Sequence, residues 1–183
     1  YYDNKKGFWK WQRPNLFGTT EDLFTQTIVV PFLIPMLENA GAVVFTPRER
    51  DWQTDEYIVD NDGGLNSSDS QYKEYAENGS WLTAPHEGFK AHSGHYVDHE
   101  NPFLAGTARM MKASKKSDKA FVKYQPHFAK EGRYAVYVSY QSLPNSVDDA
   151  HYTVFHKGQA TEFRVNQQMG GGTWVYLGTF DFD

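Results

Sequence analysis

Four segments near the C-terminus decide the fold: Tyr134-Ala-Val-Tyr-Val-Ser-Tyr140, Ala150-His-Tyr-Thr-Val-Phe-His156, Thr161-Glu-Phe-Arg-Val165 and Gly170-Gly-Gly-Thr-Trp-Val-Tyr-Leu-Gly178. Side chains along a strand point alternately to opposite faces. In the first segment this puts Tyr134, Val136, Val138 and Tyr140 on one face and Ala135, Tyr137 and Ser139 on the other. The second sets Tyr152 and Val154 against Thr153 and Phe155. The third sets Thr161, Phe163 and Val165 against Glu162, Arg164 and Asn166. β-Branched and aromatic residues dominate, as a pleated, half-buried surface prefers. The segments predict a mainly β protein, an antiparallel jelly-roll-like β-sandwich, with Val136, Val138, Val154, Phe163, Val165 and Leu177 in its core.

Turn chemistry separates the segments. Lys130-Glu-Gly132, Pro144-Asn-Ser146 and Lys157-Gly-Gln159 read as turns. Gly170-Gly-Gly172 reads as a tight hairpin that positions Trp174, not as a phosphate loop, since no helix and no Lys-Ser/Thr pair follows it. Phe121-Val-Lys-Tyr-Gln-Pro126 and Phe180-Asp-Phe182 are further strand candidates, and helical periodicity is absent from about residue 81 onward.

The N-terminal third differs. Thr20-Glu-Asp-Leu opens a helix, with Thr19 or Thr20 as cap and two acids at its positive end. Leu23, Thr27, Val30, Ile34 and Leu37 recur at helical spacing. Residues 28 to 37 are apolar almost all round, which predicts a helix buried on most faces. Pro31 cannot donate to the carbonyl of Thr27, so a kink is expected there. Asn39-Ala-Gly41 is a stop, and Ala42-Val-Val-Phe-Thr46 reads as a short buried strand. This is the helix-strand piece of an α/β domain. Gly63-Gly-Leu-Asn-Ser-Ser-Asp-Ser70 is loop chemistry. The expected division is an α/β fragment at 1–65 and a sandwich at 66–183, joined by a linker at about 63–71.

Composition narrows the function. The 183 residues carry 18 basic and 23 acidic side chains, a net charge of −5, with only residues 112–119 as a basic cluster. Phosphate backbones need a concentrated positive surface, so no nucleic-acid partner is expected. The absence of cysteine excludes disulfides and cysteine-based zinc sites. The apolar run at 28–37 is interrupted by Pro31 and Pro35 and falls short of the roughly 20 residues a membrane span needs. The chain starts without Met and stops just after a strand-like Thr179-Phe-Asp-Phe182, and it is read as part of a longer polypeptide.

Several clusters of reactive side chains have ordinary explanations. His86, His92, His95 and His99 lie with Glu87, Asp98 and Glu100 at spacings that could ligate zinc. Gly88, Gly94 and Asn101-Pro102 argue against a helix there, and solvated histidines on a polar loop are the simpler reading. Asp60-Asn-Asp-Gly63 lacks the first acid of a calcium loop and reads as a turn. His151 and His156 could work with Asp148 or Asp149 in acid–base chemistry, although no nucleophile motif accompanies them. Glu21 is most simply a carboxylate stabilised by a helix N-terminus.

Two resemblances add to this. Residues 15–51, with Thr20-Glu-Asp-Leu-Phe-Thr-Gln, Leu37-Glu-Asn-Ala-Gly-Ala-Val-Val-Phe-Thr46 and Arg48-Glu-Arg-Asp51, resemble the zinc-dependent N-acetylmuramoyl-L-alanine amidases, from which Pro47 departs. The resemblance implies Glu21 as one metal ligand, with two histidine ligands lying outside this chain. It implies no cofactor in the fragment itself and zinc in the intact protein. Residues 85–183, through Gly132-Arg-Tyr-Ala-Val-Tyr-Val-Ser-Tyr140, Ala150-His-Tyr-Thr-Val-Phe-His156, Val165-Asn-Gln167 and Gly171-Gly-Thr-Trp-Val-Tyr-Leu-Gly178, resemble the golvesin C-terminal or xanthan-lyase carbohydrate-binding-like domain. That implies a glycan-facing accessory sandwich, carries over no specific binding residues, and implies a secreted or periplasmic bacterial cell-envelope protein. The partners expected are a glycan or peptidoglycan and the rest of the polypeptide. A structural or protein-interaction sandwich is the alternative.

Overall fold

The computed structural model describes residues 2–10, 13, 18–42, 44, 55–65, 70–94, 99–114 and 120–183. Its contacts divide the chain into two units, Tyr1–Asp51 with His95–Asn101, and Trp52–Gly94 with Pro102–Asp183.

The first unit opens with a small hairpin, β1 (Tyr2–Asp3) and β2 (Phe8–Trp9). The Asp3 carboxylate accepts the amides of Lys5 and Lys6 at 3.0 and 3.2 Å and pairs with Lys10 at 2.7 Å. The helical region follows as α1 (Glu21–Phe24), α2 (Gln26–Ile28), a π-helical stretch (Val29–Leu33) and α3 (Ile34–Asn39). Pro31 sits inside the π stretch. The proline, which has no amide to donate, falls where the sequence predicts a kink, and the chain there takes the wider π-helical turn. The stop at Gly41 is a Schellman motif. Gly41 has φ +89°, its amide donates to Glu38 at 2.9 Å, and Ala42 donates to Leu37 at 2.9 Å.

Two expectations for this helix fail. Thr20 is buried, but among the described residues its hydroxyl makes no hydrogen bond, so it does not cap. The helix is also not buried on most faces. Ile34 is buried, whereas Phe24, Ile28, Phe32, Leu33, Met36 and Leu37 are exposed. An all-round apolar sequence states what a helix can bury. Among the described residues of this unit, one two-stranded hairpin is too small to bury it. Of the strand expected at 42–46, Ala42 and Val44 are described and lie in no strand, while the rest of it and the Arg48–Asp51 motif lie outside the described residues.

The second unit is mainly β and antiparallel, of β-sandwich class. Its strands are β3 (Gln71–Ala76), β4 (Leu82–Gly88), β5 (Gly106–Met110), β6 (Ala120–Gln125), β7 (Gly132–Val138), β8 (Ala150–His156), β9 (Gln159–Val165) and β10 (Val175–Phe182). β3 pairs with β6 around β4–β5, and β10 pairs with β7 around β8–β9. In each set of four the last strand pairs with the first and the middle two pair with each other.

The alternation in β8 and β9 is as read. Tyr152, Val154, Thr161, Phe163 and Val165 face inward, and Thr153, Phe155, Glu162 and Arg164 face out. Lys157 and Gly158 have φ +39° and +72°, a two-residue type I′ turn closed by His156 and Gln159. Of the six predicted core residues Val154 is buried, while Val136, Val138, Phe163, Val165 and Leu177 are only half-buried. Two-stranded sheets are too narrow to enclose a side chain completely, and aromatic rings do most of the packing. Phe128 lies 4.7 Å from Tyr134, 4.8 Å from Phe182 and 5.2 Å from Tyr57. Phe89 lies 4.6 Å from Trp174 and 5.3 Å from Phe103.

Gly170–Gly172 is not a hairpin. It belongs to the crossover from β9 to β10, whose partners are different strands. The loop is tied down by Gly172 donating to the Tyr140 carbonyl at 3.0 Å and Gly171 donating to the Ser142 hydroxyl at 3.0 Å. It carries Trp174, which packs against Phe89 and Phe103, partners the sequence does not name.

A candidate polar groove

An open groove of about 520 Å³ is lined by Asn61, Asp62, Tyr72, Glu74, Thr83, Thr107 and Arg109. Alternation along β3 points Tyr72 and Glu74 to the same side, and alternation along β5 does the same for Thr107 and Arg109. Thr83 comes from β4. Asn61 and Asp62 come from the turn at Asp60–Gly63, where Gly63 donates to the Asp60 carbonyl at 3.2 Å with φ +97°.

That turn is stapled to β5. The Asp62 carboxylate accepts the amide of Thr107 and also its hydroxyl, the latter at 2.9 Å from each oxygen. Asn61 donates its side-chain amide to the Thr107 hydroxyl at 2.8 Å and carbonyl at 3.3 Å. The Asp60 carboxylate accepts the Asp62 amide at 2.9 Å. Burial, reinforced by the Asp62 charge, pushes the Asp60 carboxyl up to about 6.

The opposite wall is a fork. Arg109 donates from Nε to Glu74 at 2.6 Å and from Nη2 at 3.0 Å. It also donates to the Thr83 hydroxyl at 2.8 Å and the Trp81 carbonyl at 3.1 Å. Tyr72 donates to Glu74 at 2.6 Å. The Arg109 bond holds the Glu74 carboxyl below its ordinary value. Burial, then the bond to Glu74, raises the Tyr72 phenol. Glu74 and Arg109 cancel, and no described cation pairs with Asp62. The lining is therefore hydrogen-bonding and slightly anionic, suited to a neutral, hydroxyl-rich ligand rather than an anion.

The residues singled out from sequence lie elsewhere. Glu21 is exposed and accepts from Arg13 Nε at 3.2 Å. His86 is exposed on β4 and His92 contacts the Ser93 carbonyl at 2.9 Å; His99 belongs to the first unit, where its ring lies 3.9 Å from Phe8 at a tilt of 45°, and His95 lies outside the described residues. Among the described residues no three His, Asp or Glu side chains form a metal-binding group. His156 meets the Thr161 hydroxyl at 2.9 Å and packs on Phe180, and His151 makes no described bond to Asp148 or Asp149. The sequence reading missed the groove. Its one visible signal was the Asp60–Gly63 turn.

Comparison with known proteins places the sandwich. Residues 66–183 match the Golvesin C-terminal domain family. The chain belongs to this family. The match takes in every strand from β3 to β10, so all four ribbons lie within the golvesin-type domain. Membership of the Golvesin C-terminal family points to an accessory module. No curated protein and no solved structure matches the chain. Among the described residues no helix is long and apolar enough to cross a membrane.

Proposed function

We propose that the golvesin-type domain is a glycan-binding accessory module of an extracellular, cell-envelope bacterial protein, and that the groove takes a neutral sugar. The observation that carries this is the locked lining. Arg109, Glu74, Asp62 and Thr107 are held by mutual hydrogen bonds before any ligand arrives, so little rotamer entropy remains to be lost on binding. Their remaining lone pairs and the Asn61 and Thr83 groups match sugar hydroxyls. The test is calorimetric titration with neutral oligosaccharides, including N-acetylglucosamine oligomers and peptidoglycan fragments. Binding should be lost in Asn61→Ala and in Thr83→Phe, which fills the groove, with the fold retained. Undiminished binding in both variants moves the site elsewhere, and no binding to any neutral sugar rejects the reading.

The N-terminal piece is proposed to be part of an amidase-like α/β domain whose remainder covers the apolar helix. Large exposed apolar patches mark such interfaces. Glu21 pairs with Arg13, and among the described residues it belongs to no group of three metal-binding side chains, which supports reading a zinc site as a property of the intact protein alone. No catalytic step is assigned to this chain, and a zinc amidase activity belongs at most to the intact protein.

A protein-interaction role has one specific point in its favour. Phe155 projects outward from β8 at 75% exposure, opposite Ala160. If that is the working surface, Phe155→Ser abolishes partner capture and leaves sugar titrations unchanged.

A further inference from the structure

We propose that the outer face of the β3–β6 ribbon is a second, separate site that binds an acidic glycan chain. The register sets three cross-strand pairs on this face in a row: Gln71 opposite Gln125, Lys73 opposite Lys123, and Tyr75 opposite Phe121. All six residues are exposed. Successive pairs lie two residues apart along the strand, so the strip runs about 14 Å at ~3.4 Å per residue. It reads as an aromatic step, a cationic step and an amide step.

Each step has a chemical meaning. The rings of Tyr75 and Phe121 stack at 5.0 Å and 25°, and they are respectively 48% and 50% exposed. A stacked, half-exposed pair offers a flat platform to the apolar face of a sugar ring. Lys73 and Lys123 are like charges directly opposed across the ribbon, an arrangement that weakens strand pairing. Among the described residues no carboxylate pairs with either. A bound carboxylate lying between the two ammonium groups turns this repulsion into attraction. The paired amides of Gln71 and Gln125 both donate and accept, as hydroxyls require.

The occupant is therefore an oligosaccharide bearing carboxylates, a uronic-acid chain. Two lysines in a chain of net charge −5 are too few for the phosphate-rich contact that nucleic acid demands. The strip and the groove use opposite faces of β3, since Lys73 and Tyr75 alternate with Tyr72 and Glu74. They also differ in sign, because the groove carries Asp62. The strip does not depend on the groove reading.

The whole chain is titrated with oligogalacturonate and oligoguluronate, each against a neutral oligosaccharide of the same length. Tighter binding of at least one acidic oligomer is expected. Lys73→Gln with Lys123→Gln, and separately Tyr75→Ala, should each weaken it by roughly tenfold or more. The lysine double variant should melt no lower than the parent, because it removes a repulsion. Asn61→Ala should leave acidic binding intact, which separates this site from the groove. The proposal is overturned if neither acidic oligomer binds better than its neutral partner. It is equally overturned if Tyr75→Ala changes nothing, or if phosphatidylglycerol vesicles bind as well and survive that change, since either result describes bare charge attraction.

Discussion

Arg109 and Glu74 form a two-pronged ion pair across 35 residues of sequence, with Nε–Oε1 at 2.6 Å and Nη2–Oε2 at 3.0 Å. Arg109 lies on β5 and Glu74 on β3, so the fork joins two ribbons that share no backbone ladder. The side chains are 24% and 22% exposed, enough enclosure for charge-assisted bonds to matter.

Arg109→Ala leaves Glu74, Thr83 and the Trp81 carbonyl without this donor. A loss of about 1–3 kcal/mol is expected, at the lower end because water still reaches the pair. The acid limb gives a second check. Glu74 has a depressed carboxyl, so its contribution is present above its ordinary value of 4.5 and fades as pH falls through the lower folded value. Glu74→Gln should remove that limb in thermal melts run from pH 6 down to 2, on the order of the range where carboxylates titrate. An unchanged melting temperature in Arg109→Ala would reduce the fork to surface decoration.

Asp60 has the opposite sign. Its folded value, about 6, lies above the ordinary 3.8, so the folded state holds the proton more tightly than the unfolded one. Its contribution is full below 3.8 and is lost as pH rises through about 6. Asp60→Asn keeps an oxygen to accept the Asp62 amide and removes the charge. This variant should melt higher than the parent at pH above about 7 and should show a flatter profile between about 4 and 6. A lower melting temperature at neutral pH would show that the carboxylate stabilises the turn.

Gly171 has no room for a methyl group. A Cβ there lies 2.3 Å from the Ser142 amide nitrogen and 2.7 Å from its hydroxyl. Backbone cannot rotate away, so Gly171→Ala should cost about 1–3 kcal/mol and displace the crossover. Trp174 rides on that crossover, and its near-ultraviolet dichroism should weaken. A variant with parent-like melting and dichroism would mean that the loop is not pinned to Ser142.

For the metal, elemental analysis of the chain purified without added zinc should find less than one equivalent. A structural zinc needs about four protein ligands and a catalytic one about three plus water, and Glu21 supplies one. One zinc per chain, lost in Glu21→Ala, would mean that a complete site exists here.

Legibility in the sequence followed locality. β8 and β9 were readable because strict alternation meets a two-residue turn, so Lys157-Gly158 fixes both the register and the faces. β3 was not, because Tyr72 and Tyr75 put an aromatic on each face and erase the contrast. β4 carries Pro85 and an irregular register between Thr83 and Glu87, which conceal the strand. The groove depends on Glu74 meeting Arg109 and on Asp62 meeting Thr107, 45 positions away. Both are encounters between elements, and neither residue's neighbours announce them. The apolar helix shows the reverse. Its composition was plain, but composition could not reveal how little of the described structure covers it.

The type I′ turn at Lys157-Gly158 also bears on the order of events during folding. It closes β8 onto β9 within a few residues, whereas β3 must find β6 across the segment that holds β4 and β5, and β7 must find β10 across the segment that holds β8 and β9. Short loops close fast and long ones slowly, so the β8–β9 hairpin forms on the order of microseconds and the two outer pairings set the rate. Gly158→Ala strains a left-handed position and should slow refolding while barely changing unfolding, whereas Val136→Ala on β7 should mainly speed unfolding. Stopped-flow measurements with the two reversed would place the nucleus in the outer strands.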